Sequence, residues 1–515
     1  MTSATARAHQ FSILNWAIEI LWALLLIGLP LTSFPLLGNI TRSVVVPFSA
    51  MPLAIILIVW FLPYLLRHGS LPLESRPLFA FIAVTIIASA AAYFMAPMIF
   101  KNRTIVYQEV RDFLTLGIGL SFYLCIAAWA SDKTHMQKAL QWITIGGILM
   151  ILWACVQAYY IEFHGVNYPH WFAHLRDLLV VQNSAVREGN RVTGLAYEPS
   201  WFAHLLNILF FPLWISASFQ RLSAFRFRLF KVLTVEDFLL IPSLVVFVLS
   251  SPRVGMVAFL LMVVYLLIKI NLAIYRWIIR RITSTIHATT GIGLSLVKVV
   301  IRVGLVLVFL AVYLGGIFGF VVAYSHYDRR YGYLLKPFTQ AELNSLGLNE
   351  NSFLYLSTKY GFEERLVYWF SGWHTFNDHP WLGVGIGNAG FYFPNDFPYQ
   401  GLGTFEIRDV LYRLYDLPNI KSMWIRLLAE TGLVGFACFA TWYVLTWVSA
   451  WFSGKSHDPT IRLVALAGLL GILAFLVEGF SIDSFALPFL WVIMALAAAN
   501  GVLYRKELSG KSQVK

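Results

Sequence analysis

Apolar stretches of roughly 20 residues recur along this chain, each long enough to cross the hydrocarbon core of a bilayer as a helix. That repetition constrains the fold more than any other feature. With 59% hydrophobic and only 12% charged residues, the chain lies far from the roughly one-quarter charged content of a soluble domain. The reading is an all-α polytopic membrane protein with about 12 transmembrane helices. Their apolar cores fall near 12–32, 44–65, 78–100, 113–130, 140–162, 201–219, 237–249, 254–275, 299–323, 423–451, 461–479 and 485–503. The seventh is short and the tenth long.

The first apolar run lacks a small-residue cleavage site, so it reads as a span rather than a removed leader. The three cysteines sit within apolar runs, which suggests neither a disulfide framework nor a metal site. The net charge of +12 has a membrane explanation and does not call for nucleic acid. With the N-terminus placed inside, clusters such as Arg221–Arg228, Arg276–Arg281 and Arg505–Lys511 all fall on the inner side. The short loops of the other side hold far fewer lysines and arginines, so both termini are expected to be cytoplasmic. Residues 275–298, with Arg276, Arg280 and Arg281 beside Trp277, are expected to form an interfacial amphipathic helix on anionic lipid headgroups.

The chain then divides into N-terminal helices (1–163), central helices with a first outer loop (164–324), a large, partly helical outer loop (325–422) and C-terminal helices (423–515). Two polar excursions face the same, outer side. The first is Arg191-Val-Thr-Gly-Leu-Ala-Tyr-Glu198-Pro199-Ser200. Pro199 favours a helix start, which puts Glu198 at the electropositive end of the sixth span. His204 follows one turn after Ser200, near the outer surface, and Arg253 opens the eighth span on the same side.

The second excursion is denser. Arg365, Trp369, Gly372 and Phe376 follow helical spacing and lead into a turn at Asp378-His379-Pro380. Beyond it, Gly383-Val-Gly385-Ile-Gly387-Asn388 offers backbone amides unshielded by side chains, an anion nest. Tyr392 and the other loop aromatics can stack on sugar faces or pack the loop. The formal match of Gly385-x-Gly387-x-x-Gly390 to a dinucleotide fingerprint is rejected, because no βαβ unit surrounds it. Lys421 precedes the tenth span, where Arg426 and Glu430 stand at i,i+4 and are placed to pair on one helix face. Arginine suits a pyrophosphate, since its planar fork binds two oxygens and keeps its charge when desolvated. No Asp-rich cation motif is visible, so neither metal nor cofactor is expected.

These residues resemble the O-antigen polymerase and O-antigen ligase superfamily of bacterial inner-membrane glycosyltransferases. The likeness is carried by Arg191…Gly194…Glu198-Pro199-Ser200, by Arg365…His379-Pro380…Gly383-x-Gly385-x-Gly387-Asn388, and by Glu430-x-Gly432-x-x-Gly435 after Ser422-Met423-Trp424. It runs from about Gly189 to Gly435. The resemblance implies inverting transfer of a glycan from undecaprenyl pyrophosphate to an acceptor hydroxyl at the periplasmic face. In that scheme Arg191, Arg253 and Arg365 bind the anion, and Glu198 or His379 takes the acceptor proton. His204, Gly385, Gly387, Asn388, Tyr392, Lys421, Arg426 and Glu430 are expected to line the substrate site. The partners implied are lipid-linked donor and acceptor glycans, membrane lipids and a chain-length regulator, with no nucleic acid.

The ligase branch looks to have a histidine nine residues before its Glu-x-Gly element, where this chain has Lys421. That departure favours polymerisation of O-antigen or exopolysaccharide repeat units over ligation to a lipid core or to protein. A transporter of lipid-linked sugars ranks lower, because the dense charge lies in outer loops rather than at the bilayer midplane.

Overall fold

The computed structural model describes the chain except residues 1, 42, 68, 96–98, 182–190, 226–227, 230–232, 286–290, 327–328, 348, 414–416 and 513–515. Helices dominate. In chain order they include α1 (Thr2–Ile27), α2 (Ala50–Leu66), α3 (Arg76–Met95), α4 (Ile105–Trp129), α5 (Lys133–His164), α6 (Pro199–Gln220) and α7 (Val235–Leu249). They continue with α8 (Arg253–Thr285), α9 (Gly291–Ser325), α10 (Glu350–Tyr360), α11 (Glu363–Asp378), α12 (Met423–Ser453), α13 (Pro459–Glu478) and α14 (Pro488–Ser512). Among the described residues nine helices are long and apolar enough to cross a membrane, and two shorter apolar ones accompany them. The chain is an all-α multi-pass membrane protein. Among the described residues strand is confined to short antiparallel pairs, such as β1 (Ile99–Phe100) with β2 (Arg103–Thr104), joined through Lys101 and Asn102 at positive φ.

Each expected apolar core overlaps a helix, but among the described residues nine helices, rather than about 12, have the length and apolarity of a span. The seventh is short because α7 has only 15 residues. The tenth is long because α12 holds 31 residues and breaks at Gly432, whose φ of 62° and ψ of −169° no helix accommodates. That backbone region is essentially reserved for glycine. The separate interfacial helix expected over 275–298 is not found as such. Residues up to Thr285 continue α8 without a break, residues 286–290 lie outside the described set, and α9 begins at Gly291. An apolar helix gains by continuing to pair its own backbone polar groups, so the basic cluster extends the span.

The chain forms two compact units. The first comprises Met1–Ala258, Gly372–Phe393 and Tyr415–Lys515. Its centre is the hairpin of α13 and α14, where Val492 through Ala499 are wholly buried. Small residues permit that closeness: a side chain at Gly468 would meet Ala497 at 3.0 Å. Without a hydrophobic force between helices in lipid, such packing and a few hydrogen bonds supply the cohesion. One of those bonds is Trp491 Nε1 to the Phe485 carbonyl, at 2.7 Å.

The second unit comprises Phe259–Ser371 and Pro394–Leu414, with most of α8, all of α9 and α10, and the start of α11. None of the most apolar window of α9 is buried by protein, so its surface calls for lipid. Glu342 anchors the polar part of this unit, accepting from the Thr339 amide and from Lys359 Nζ.

Candidate functional site in the first unit

The Arg191 loop is fixed from beneath by α5. Gln157 is buried, and its Oε1 accepts from the amides of Thr193 (3.1 Å) and Gly194 (2.8 Å), while its Nε2 donates to Thr193 Oγ1. Gly194 has φ +58°, and the ring of Phe202 would lie 2.7 Å from any Cβ there, so only glycine fits without displacement. The loop then presents Arg191, whose Nε and Nη2 donate to the carbonyls of Ser250 and Ser251, each at 2.9 Å. Arg253 opens α8 two residues later. Two half-buried arginines from segments far apart in sequence are thereby brought onto one turn.

Glu198 is the residue before helix α6, in extended conformation, and its Oε2 accepts from Ser200 Oγ at 3.1 Å. The side chain makes no capping bond to the helix and remains half-buried. His204, expected near the surface, is instead 2% exposed. Its Nδ1 lies 2.7 Å from Glu478 Oε2, at the end of α13. A direct sugar contact would need an opening to that ring. Asn207, one turn further, donates to Glu478 Oε1 (2.6 Å) and to the Gly255 carbonyl (2.8 Å).

The glycine segment also departs from its expected use. Val384 N donates to the Ala429 carbonyl, Gly385 N to the Glu430 carbonyl and Ile386 N to Ser89 Oγ, at 3.0, 3.0 and 3.1 Å. The Gly387 amide is taken by the Glu430 carboxylate. These amides serve the fold and are closed to an outside anion, which removes the nest reading for Gly385 and Gly387. The glycines allow close approach instead. A Cβ on Gly387, at φ +78°, would lie 2.0 Å from Asp112 Oδ2, and one on Gly383 would lie 2.5 Å from the Ala429 carbonyl oxygen.

Beneath this segment lies a buried charge cluster. Arg426 Nε meets Glu430 Oε2 at 2.9 Å, its Nη2 meets Asp112 Oδ1 at 3.0 Å, and its Nη1 donates to the Asp483 carbonyl. The pairing of Arg426 with Glu430 therefore forms, one helical turn apart. Asp112 also accepts from Gln108, and Asn388 Nδ2 donates to Glu109 at 2.8 Å and to the Val384 carbonyl at 3.0 Å. A guanidinium with three acceptors is largely committed, which gives Arg426, Glu430 and Asn388 a scaffolding part in the geometry.

His379 ends α11 half-buried, with its ring edge-on to Tyr392 at 5.3 Å between centroids. Lys421 takes a left-handed conformation (φ 54°) immediately ahead of Ser422, which caps α12 by accepting from the Ile425 amide. Arg365 belongs to the second unit, on the first turn of α11, where its Nη1 is shielded from solvent without a hydrogen-bond partner among the described residues.

Sequence reasoning missed Gln157, Asn207, Glu109, Asp112 and the pairing of Glu478 with His204 and Asn207. Charged or amide side chains inside apolar runs were the available signal. Their partners come from helices distant in sequence, and only the packing pairs them.

Residues 238–440 match the family model described as O-antigen ligase. The match takes in Arg253, Arg365, His379, the glycine segment, Lys421, Arg426 and Glu430. The match covers less than half of the chain and supports its resemblance to the O-antigen polymerase and ligase superfamily. No curated protein matches the chain.

Proposed function

We propose that the chain polymerises oligosaccharide repeat units carried on undecaprenyl pyrophosphate, at the periplasmic face of a bacterial inner membrane. The acceptor hydroxyl attacks the anomeric carbon of the donor from the face opposite the pyrophosphate. The new glycosidic bond forms as the bond to phosphate breaks, with inversion. The hydroxyl proton passes to a carboxylate or imidazole, with Glu198 the first candidate and His379 the second. The lipid pyrophosphate leaves with its charge compensated by guanidinium groups.

The observation that carries this reading is the anchoring of Arg191 on the carbonyls of Ser250 and Ser251, next to Arg253. Arg191 is held on the turn that leads into Arg253, and its loop runs on to the half-buried Glu198 at the start of α6, a set of charges suited to a departing pyrophosphate. Arg365, in the second unit, is a separate candidate, carried by the resemblance and by an Nη1 that is shielded and has no partner among the described residues, as suits an anionic ligand. His204, Gly385, Gly387, Asn388, Arg426 and Glu430 then support the site rather than touch sugar. Tyr392 and Lys421 remain candidate contacts. A chain-length regulator is the protein partner this activity calls for.

The test is reconstitution of the purified protein with lipid-linked repeat units. A ladder of lengthening lipid-linked glycans is expected from wild type and not from Arg253→Ala. Transfer of glycan to lipid A core or protein without lengthening would select the ligase reading, which the family match leaves equally open. Movement of the lipid across vesicles with no new bond would select a transporter.

A further inference from the structure

Glu478 occupies an unfavourable place. It ends α13, where the helix dipole is negative, and it is wholly buried. Packing alone would be served as well by an apolar side chain of similar volume, often with a gain in stability. What the carboxylate does instead is join segments. Oε2 holds His204 Nδ1 on α6, and Oε1 holds Asn207 Nδ2 on the same face one turn later. Asn207 in turn grips the Gly255 carbonyl, two residues past Arg253. The next residue, Gly479, accepts from the Met423 amide at 2.7 Å and from Ser422 Oγ, just after Lys421.

We propose that Glu478 is a positioning residue of the transfer site, a buried carboxylate that fixes together the three segments carrying Glu198, Arg253 and Lys421. The inference rests on the site proposed above and adds a residue outside the matched stretch of 238–440. His204 Nδ1 faces the carboxylate, which turns Nε2 away from it. That atom is shielded from solvent and lacks a partner among the described residues. The ring is thus oriented through one nitrogen, one turn below Ser200 and the Glu198 carboxylate. Correct orientation of reacting groups is worth large factors in rate, so displacement of these segments registers in turnover more than in binding.

The experiment is steady-state chain extension by reconstituted protein on undecaprenyl-pyrophosphate-linked repeat units, comparing wild type with Glu478→Gln, His204→Gln and the double variant. Glu478→Gln is expected to lower kcat by about tenfold or more while KM stays within about threefold. The double variant is expected to be no slower than the slower single variant, because the two side chains act as one device. A Glu478→Gln kcat within about twofold of wild type, or losses that multiply in the double variant, would overturn the proposal. If Glu478→Gln does not accumulate in the membrane, Glu478→Asp and Asn207→Ser carry the same test. There, lowered kcat with retained KM supports the proposal, and an unchanged kcat overturns it. Failure of wild type to extend chains would strike the proposed function itself, a separate result.

Discussion

Asp112 of α4 and Arg426 of α12 meet at 3.0 Å, and Arg426 also holds Glu430 at 2.9 Å, so one buried guanidinium ties two helices and the glycine segment into a single block. Arg426→Ala would strand two buried carboxylates without their cation. A loss of about 3–5 kcal/mol is expected, enough to deplete folded protein. Equilibrium unfolding in detergent measures it, and a change below about 1 kcal/mol would show the pair to be dispensable.

Glycines divide sharply by environment. Gly387→Ala forces a Cβ to within 2.0 Å of Asp112 Oδ2 at a positive φ, and overpacking combined with backbone strain costs about 1–3 kcal/mol or more. Gly315, inside α9 with open space around it, should accept alanine with no loss and with a gain of up to about 1 kcal/mol. Thermal unfolding midpoints of the two variants check the contrast. Equal shifts would contradict the close approach described at Gly387.

Gln157 supports the Arg191 loop from α5. Gln157→Leu leaves the Thr193 and Gly194 amides buried without an acceptor, a loss of about 1–3 kcal/mol. Chain extension should fall with it, since the loop carries Arg191. A variant with weakened stability and full activity would separate that loop from the chemistry.

Acid should loosen part of the second unit. The Thr339 amide, and then the Lys359 ammonium, hold the Glu342 carboxyl down at about 2, against an ordinary value of 4.5. A depressed carboxyl contributes stability above its unfolded value and loses it as pH falls toward the folded one. The contribution is therefore intact above about pH 4.5 and fades down to about pH 2. Pepsin digestion across that window should open 339–360 progressively, while Glu342→Gln should be susceptible at its upper edge already. Identical digestion of variant and wild type would refute the anchoring role.

The membrane fold was legible because apolar run length is a one-dimensional signal, and every expected core overlaps a helix, although nine of the described helices rather than about 12 are long and apolar enough to span. The local features were legible too: the start of α6 at Pro199, the helix from Glu363 to the turn at His379, and the i,i+4 pairing of Arg426 with Glu430. The site was harder. Gly385 and Gly387 advertise free amides in one dimension, yet both are consumed by Glu430, and those of Val384 and Ile386 by Ala429 and Ser89, once α12 and α3 pack against them. His204 looked superficial because it lies one turn inside a span, and α13 covers it with Glu478. Pairings across the bundle depend on which helices are neighbours, and periodicity within one helix carries no record of that.

The most direct test of the central claim is the glycan profile of a strain lacking this chain, complemented with wild type or with Arg365→Ala. The account predicts long surface glycan with wild type, and surface glycan limited to a single repeat unit in both the deletion and the variant. Absence of surface glycan in the deletion, with long lipid-linked chains accumulating in the membrane, would contradict it and identify a ligase.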